Sequence, residues 1–144
     1  MSLQKITLLV VLVLVSLGLG GKLAWDDYQQ DRAARKMLEI MRILDDLRLP
    51  KDALMVGNTM TSTNEYAASA WRHYRVKTDL SDLKQNFEAQ LEKTGFAFDD
   101  EGRSYSGPQY YYRKGEFEVR LLFIQNPKEE ANFALSANWY GLDR

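Results

Sequence analysis

Hydrophobic positions follow three different periods along this chain. From Ile6 to Gly21 they are nearly continuous, with no charge between Lys5 and Lys22. From Asp26 to Leu49 they recur at helical spacing. Met37, Ile40, Met41, Leu44 and Leu47 form a stripe, and Arg32, Arg35, Lys36, Glu39 and Arg42 lie elsewhere on the cylinder. Pro50 ends that helix, because the residue before a proline resists the α region. No proline or turn cluster separates the two segments, so they are expected to form one long helix, with Gly18, Gly20 and Gly21 as its weak point.

Beyond Pro50 the period shortens toward two. Leu54-Met-Val56 and Tyr66 to Lys77 read as strands joined by a polar loop that holds Asn58, Thr61, Ser62, Thr63 and Asn64. Asp79 to Thr94 reads as a second helix. Asp79 is its N-cap, Leu80, Leu83, Phe87 and Leu91 are its apolar stripe, and Gly95 is its stop. Phe96-Ala-Phe98 begins a strand, and Asp99 to Pro108 reads as a polar loop. Gln109 to Arg113 and Glu116 to Gln125 read as a hairpin around Lys114-Gly115. That turn would set Tyr112 opposite Phe117 and Tyr110 opposite Val119, with Arg113 opposite Glu116 and Tyr111 opposite Glu118. Asn126-Pro127-Lys128 reads as a turn. Asn132 to Tyr140 is the last strand, with Phe133, Leu135, Ala137 and Trp139 facing inward.

The fold class expected is α+β. An N-terminal transmembrane helix (residues 1–25, an anchor or uncleaved signal) continues into an amphipathic helix (26–49). A small antiparallel sheet with helices packed on one face then follows (50–144). From Leu3 to Trp25 a helix would run about 35 Å at ~1.5 Å per residue, enough for a ~30 Å hydrocarbon core. Lys5 and Lys22 can snorkel, and Trp25 suits the headgroup boundary. The competing reading is a cleaved signal peptide, cut after Gly18-Leu19-Gly20. The basic leader before the apolar run favours an exported signal-anchor with the body outside the cytoplasm, whereas Lys and Arg beyond Trp25 favour the opposite orientation.

Composition narrows the function classes. The chain has 144 residues, no Cys, one His and a formal net charge of −1. Disulfides and Cys-lipid anchoring are excluded, and a charge balance near zero is not that of a nucleic-acid binder. His73 alone cannot build a His-based metal cluster. Asp99-Asp100-Glu101-Gly102 lacks the alternate oxygen positions and final Glu of a calcium loop. Ser69, Ser104 and Ser106 have no elbow motif around them, and Tyr105, Tyr110, Tyr111 and Tyr112 suit a strand as well as a cleft. No catalytic residue, metal or cofactor is therefore expected.

One surface stands out. Alternation places Trp71, His73, Arg75 and Lys77 on one side of a strand, and Tyr111 and Arg113 on one side of the hairpin with Glu116 and Glu118. If these sides face away from the helices they form one mixed aromatic and charged face for a partner or ligand. The function expected is a single-pass, non-enzymatic protein of the cell envelope whose domain binds a partner protein. The alternative is a secreted or tethered binder of a small anionic or amphiphilic ligand. The layout resembles that of type IV pilins. Gln4-Lys5-Ile6-Thr7-Leu8, however, lacks their Gly before the cut and no Glu follows within the apolar run, so the family is not assigned.

Overall fold

The computed structural model describes residues 3–126 and 128–141, with side chains described from residue 15 onward except at residue 17. Helix α1 runs unbroken over Leu3–Asp46. Strands β1 (Leu54–Asn64) and β2 (Ala67–Arg75) form a hairpin, and helix α2 spans Leu80–Lys93. The remaining strands are β3 (Ala97–Ser104), β4 (Gly107–Lys114), β5 (Phe117–Phe123) and β6 (Phe133–Tyr140). The six strands described make one antiparallel sheet in the order β1-β2-β6-β5-β4-β3. The last strand in sequence is thus central in space.

The expected α+β class holds, and both helical stripes are buried. Along α1, Gln29, Ala33, Ile40 and Leu44 are buried, as is Leu47 just past its end, and Met37 and Met41 are partly buried. Their three- and four-residue spacing draws one line down the helix, and that line lies on the sheet. On α2, Leu83, Phe87 and Leu91 are fully enclosed. Phe87 stacks on Phe133 at 5.3 Å between ring centroids. The Asp79 carboxylate accepts from the Ser81 N–H at 2.8 Å, which starts the helix on a paired donor. Phe133, Leu135, Ala137 and Trp139 of β6 complete the core beneath the two helices.

The upper part of α1 is also clamped by charge. Arg32 and Lys36 both reach Glu116, at 2.7 and 3.5 Å, while Arg32 lies over the Trp139 ring and Lys36 over Phe117. Burial raises the Glu116 pKa, but the nearby Trp139 indole N–H, Lys36 and Arg32 outweigh it and hold this carboxyl below its ordinary value. Glu116 is therefore part of the helix junction rather than of the outward hairpin face where alternation had put it.

Three further expectations are corrected. First, the polar stretch through Asn64 is not a loop but the greater part of β1. An edge strand exposed to water tolerates Ser, Thr and Asn, and the bulge between Val56 and Met60 is admitted by Gly57 at φ 75°. Second, Asp99 to Pro108 is mostly strand, paired as β3 with β4 from Ala97↔Arg113 to Ser104↔Gly107. It is the opposite edge, where acidic side chains stay in solvent and guard against edge pairing. Third, the β4–β5 turn is centred on Gly115-Glu116, so that Lys114 pairs with Phe117 and Arg113 with Glu118. Gly115 takes φ 56° as the first turn residue, as a II′-type turn requires. The expected turn would have forced Lys114 into that region. The register moves by two residues, so the side chains from Tyr110 to Arg113 and from Phe117 to Val119 keep their expected faces, while Glu116 passes into the turn.

Among the described residues no helix is long and apolar enough to cross a membrane. The expected span from Leu3 to Trp25 falls largely on side chains outside the described residues. Gly18 to Trp25 are all exposed, and among the described side chains the first buried position on α1 is Gln29. The described lower helix thus projects past the sheet.

Candidate functional site

Both helices lie on one face of the sheet, and the other face is left open. Register alone assembles its central row. Asp100 of β3 pairs with Tyr111 of β4, Tyr111 with Arg120 of β5, Arg120 with Ser136 of β6, and Ser136 with Trp71 of β2. Directly opposite residues share a face, so these side chains stand side by side. The row on one side holds Arg113, Glu118, Asn138 and Ser69, and the row on the other holds Gln109, Leu122, Ala134 and His73.

The middle of this face is a groove of about 350 Å³, lined by Trp71, His73, Arg120, Ser136, Asn138 and Tyr140 among others. Its floor is made of short side chains. Ser136 and Asn138 are 4% and 7% exposed although no helix covers them. The taller residues around them do the shielding. One end is closed by the segment after β5. There Ile124 and Ala131 pack with Ala134, Leu122 and Val56 in a small second core. Ile124 N–H donates to Asn132 O and Asn132 N–H to Tyr74 O, which fastens the segment to the sheet.

Charge on this face is unevenly satisfied. Glu118 is 7% exposed and is held from three sides: by Arg113 Nη2 at 3.2 Å, Asn138 Nδ2 at 3.4 Å and Tyr140 OH at 3.4 Å. A buried carboxylate needs such company. Arg113 also reaches Asp99 at 3.2 Å. Arg120, two residues along β5 and on the same face, is half-buried. Among the described residues it has no hydrogen bond, ion pair or aromatic ring beneath it. The other strand arginines differ. Arg72 binds Asp45 and Thr59, Arg75 donates to Glu130 O, Arg103 reaches Gln125, and Arg113 is doubly paired.

The six residues singled out by alternation thus divide. Trp71, His73 and Tyr111 meet on the open face around Arg120. Arg113 lies there too, but its guanidinium is committed to Glu118 and Asp99. Arg75 is at the strand's end, with its guanidinium turned to the Glu130 carbonyl at 2.8 Å. Lys77 leaves the pattern, because β2 ends at Arg75. Asn132 caps Val76 through both its backbone groups, and the Asp52 carboxylate accepts from the N–H groups of Lys77 and Thr78. Those hydrogen bonds hold the Asp52 carboxyl below its ordinary pKa. Arg120, Asn138, Ser136 and Tyr140 were missed. The signal for Arg120 was present, since Glu118 and Arg120 alternate with Val119 and Leu121 along β5.

A larger cleft, about 800 Å³, lies between α1 and the β1–β2 hairpin, with Gln30, Ala33, Met37, Thr61 and Tyr66 in its walls. It follows from an incomplete fit of helix on sheet and brings no unpaired cation to its walls, so the open face has the richer chemistry. Among the described residues, no group of three or more His, Asp or Glu side chains is placed to hold a metal ion. No family model matches the chain, no curated protein matches it, and no solved structure matches its fold.

Proposed function

We propose that the chain is a single-pass protein of the cell envelope, anchored by its N-terminal apolar segment, whose domain stands outside the cytoplasm and binds a partner protein without catalysing a reaction. The observation that carries the reading is the division of labour across the sheet. Both helices occupy one face, while the opposite face holds aromatic and polar side chains around an arginine whose guanidinium has no partner among the described residues. Two features of α1 support the tether. It is continuous from Leu3 to Asp46, and its projecting part exposes Leu19, Leu23, Trp25 and Tyr28, with the Trp25 and Tyr28 rings 6.1 Å apart. Paired aromatics beside an apolar run suit a membrane boundary.

The test has two arms on the full-length chain in its native cells. Carbonate extraction and N-terminal sequencing address the tether, and a mature N-terminus near Gly21 would overturn it. A photo-crosslinking residue at Trp71, compared with one at exposed Leu38 on α1, addresses the face. A discrete protein adduct from position 71 alone is expected, and none from that position would overturn the assignment.

A further inference from the structure

We infer that Arg120 is the docking point for a single carboxylate carried on an extended segment of the partner protein, an inference that rests on the binding reading above. The first ground is the unfinished electrostatics of the open face. Burying a guanidinium's surroundings without giving it an acceptor is unfavourable. The protein nevertheless leaves Arg120 alone at the centre of the groove while supplying three donors to Glu118 next to it. The one acid close enough to neutralise Arg120 along the same strand is already engaged. An acceptor from outside would complete the site.

The second ground concerns which anion fits. Glu118 lies two residues from Arg120 on the same face, and Asp100 lies two strands away in the same row. An arriving group must face both negative charges. A carboxylate brings one negative charge and matches the planar guanidinium fork through two parallel hydrogen bonds. A phosphate dianion brings two, and among the described residues no second unpaired Lys or Arg lines the groove beside Arg120 and His73 to receive the extra one. Arg113, the nearest candidate, is held by Asp99 and Glu118.

The third ground is shape. A site for a free small molecule encloses most of its ligand. This groove has one floor, formed by the sheet, and no covering element. About 350 Å³ over short side chains suits a stretch of extended chain lying across the strands, with one acidic side chain descending to Arg120. Trp71 and Tyr111 flank that point in the same row, and their rings offer apolar contact to the stems of neighbouring residues.

The probe is a decapeptide of Thr with one central Glu, blocked at both ends. It is titrated into the full-length protein in detergent micelles and followed by the Trp71 indole resonance and the Arg120 side-chain resonances. Its Thr-Gln counterpart, free glutarate and inorganic phosphate are titrated alongside. Saturable shifts at both residues are expected with the Glu peptide, weakened about tenfold or more by Gln for Glu in the peptide and by Arg120→Gln in the protein. Arg120→Lys should recover part of the loss, since it keeps the charge and loses the fork. Glutarate should shift the same resonances far more weakly. Three results would each overturn the proposal: equal binding of the Gln peptide, binding indifferent to Arg120→Gln, or phosphate binding at least as tightly as the Glu peptide. Glutarate matching the peptide would replace the partner segment with a small dicarboxylate. A crosslink from position 71 that survives while the peptide fails would sink this inference and leave the binding reading intact. Loss of both would sink the two together.

Discussion

The two faces of β6 make opposite use of one strand. On one side Phe133, Leu135, Ala137 and Trp139 are at most 1% exposed beneath the helices. On the other, Ala134, Ser136 and Asn138 are nearly as shielded, at 4–7%, with no helix over them. The first face is apolar and closed by packing. The second is polar and closed by its own neighbours. A strand with two buried faces ordinarily reads as continuous hydrophobicity. Here the alternation survives: Ala134 lies under the segment after β5, while Ser136 and Asn138 are shielded by the height of the side chains around them. Stability should therefore depend on one face and recognition on the other.

Removing a large aromatic side chain that packs on the closed face should break that balance most. Phe87→Ala empties a fully buried site against Phe133 and should cost about 3–5 kcal/mol in denaturant melts. A loss under about 1 kcal/mol would mean that the helix does not rest there. Gly107→Ala tests the backbone both faces share. At φ 146° an added Cβ would clash with the Phe123 carbonyl oxygen, so about 2–3 kcal/mol should be lost as the hairpin shifts. Unchanged melting would show that the hairpin yields easily.

The clamp at the margin of the two faces should give a smaller, pH-dependent effect. The Glu116 carboxyl sits below its ordinary pKa in the folded state. Its contribution is therefore present above the ordinary carboxylate value and lost as pH falls through the folded one. Because the side chain is 38% exposed, screening keeps the contribution below about 1 kcal/mol. Glu116→Gln should flatten the acid limb of the stability curve, and an unaltered limb would place the clamp outside the energetics of folding. Smallest of all should be the open face. Arg120→Gln should leave stability within about 0.5 kcal/mol, since no internal bond is broken. Joint charge reversal of Arg75 and Lys77 should leave binding at the groove unaltered, as measured with the Thr-Glu peptide, because neither side chain lines it.

Most of the architecture was legible because both helices announce themselves. Asp79, the Leu83-Phe87-Leu91 spacing and Gly95 bracket α2, and the stripe through Ile40, Leu44 and Leu47 marks the packed face of α1. The edges were not legible. Asn58 to Asn64 and Asp99 to Ser104 have the composition of loops, and they are strands only because hydrogen bonds to β2 and β4 outweigh weak local preference. The site was half legible. Alternation put Trp71, His73 and Tyr111 on the outward face, but it could not show that β6 would insert between β2 and β5. That insertion brings Arg120 beside Ser136 and Trp71. Arg75, Lys77 and Glu116 misled for a related reason. Alternation says nothing about where a strand stops or which element meets a turn.

The continuity of α1 has a mechanical consequence. A helix that is one piece from Leu3 to Asp46, and that is welded to the sheet from Gln29 to Leu47, is a shaft rather than a string. Whatever grips its first turns also sets the compass bearing of the open face. One residue inserted beyond the weld, between Tyr28 and Gln29, would swing the sheet by about 100° and lift it by ~1.5 Å, whereas seven would bring it back to within about 20° of its starting azimuth. The groove is thus aimed by counting residues, and a change far from Arg120 that touches none of its neighbours can turn it to a new bearing.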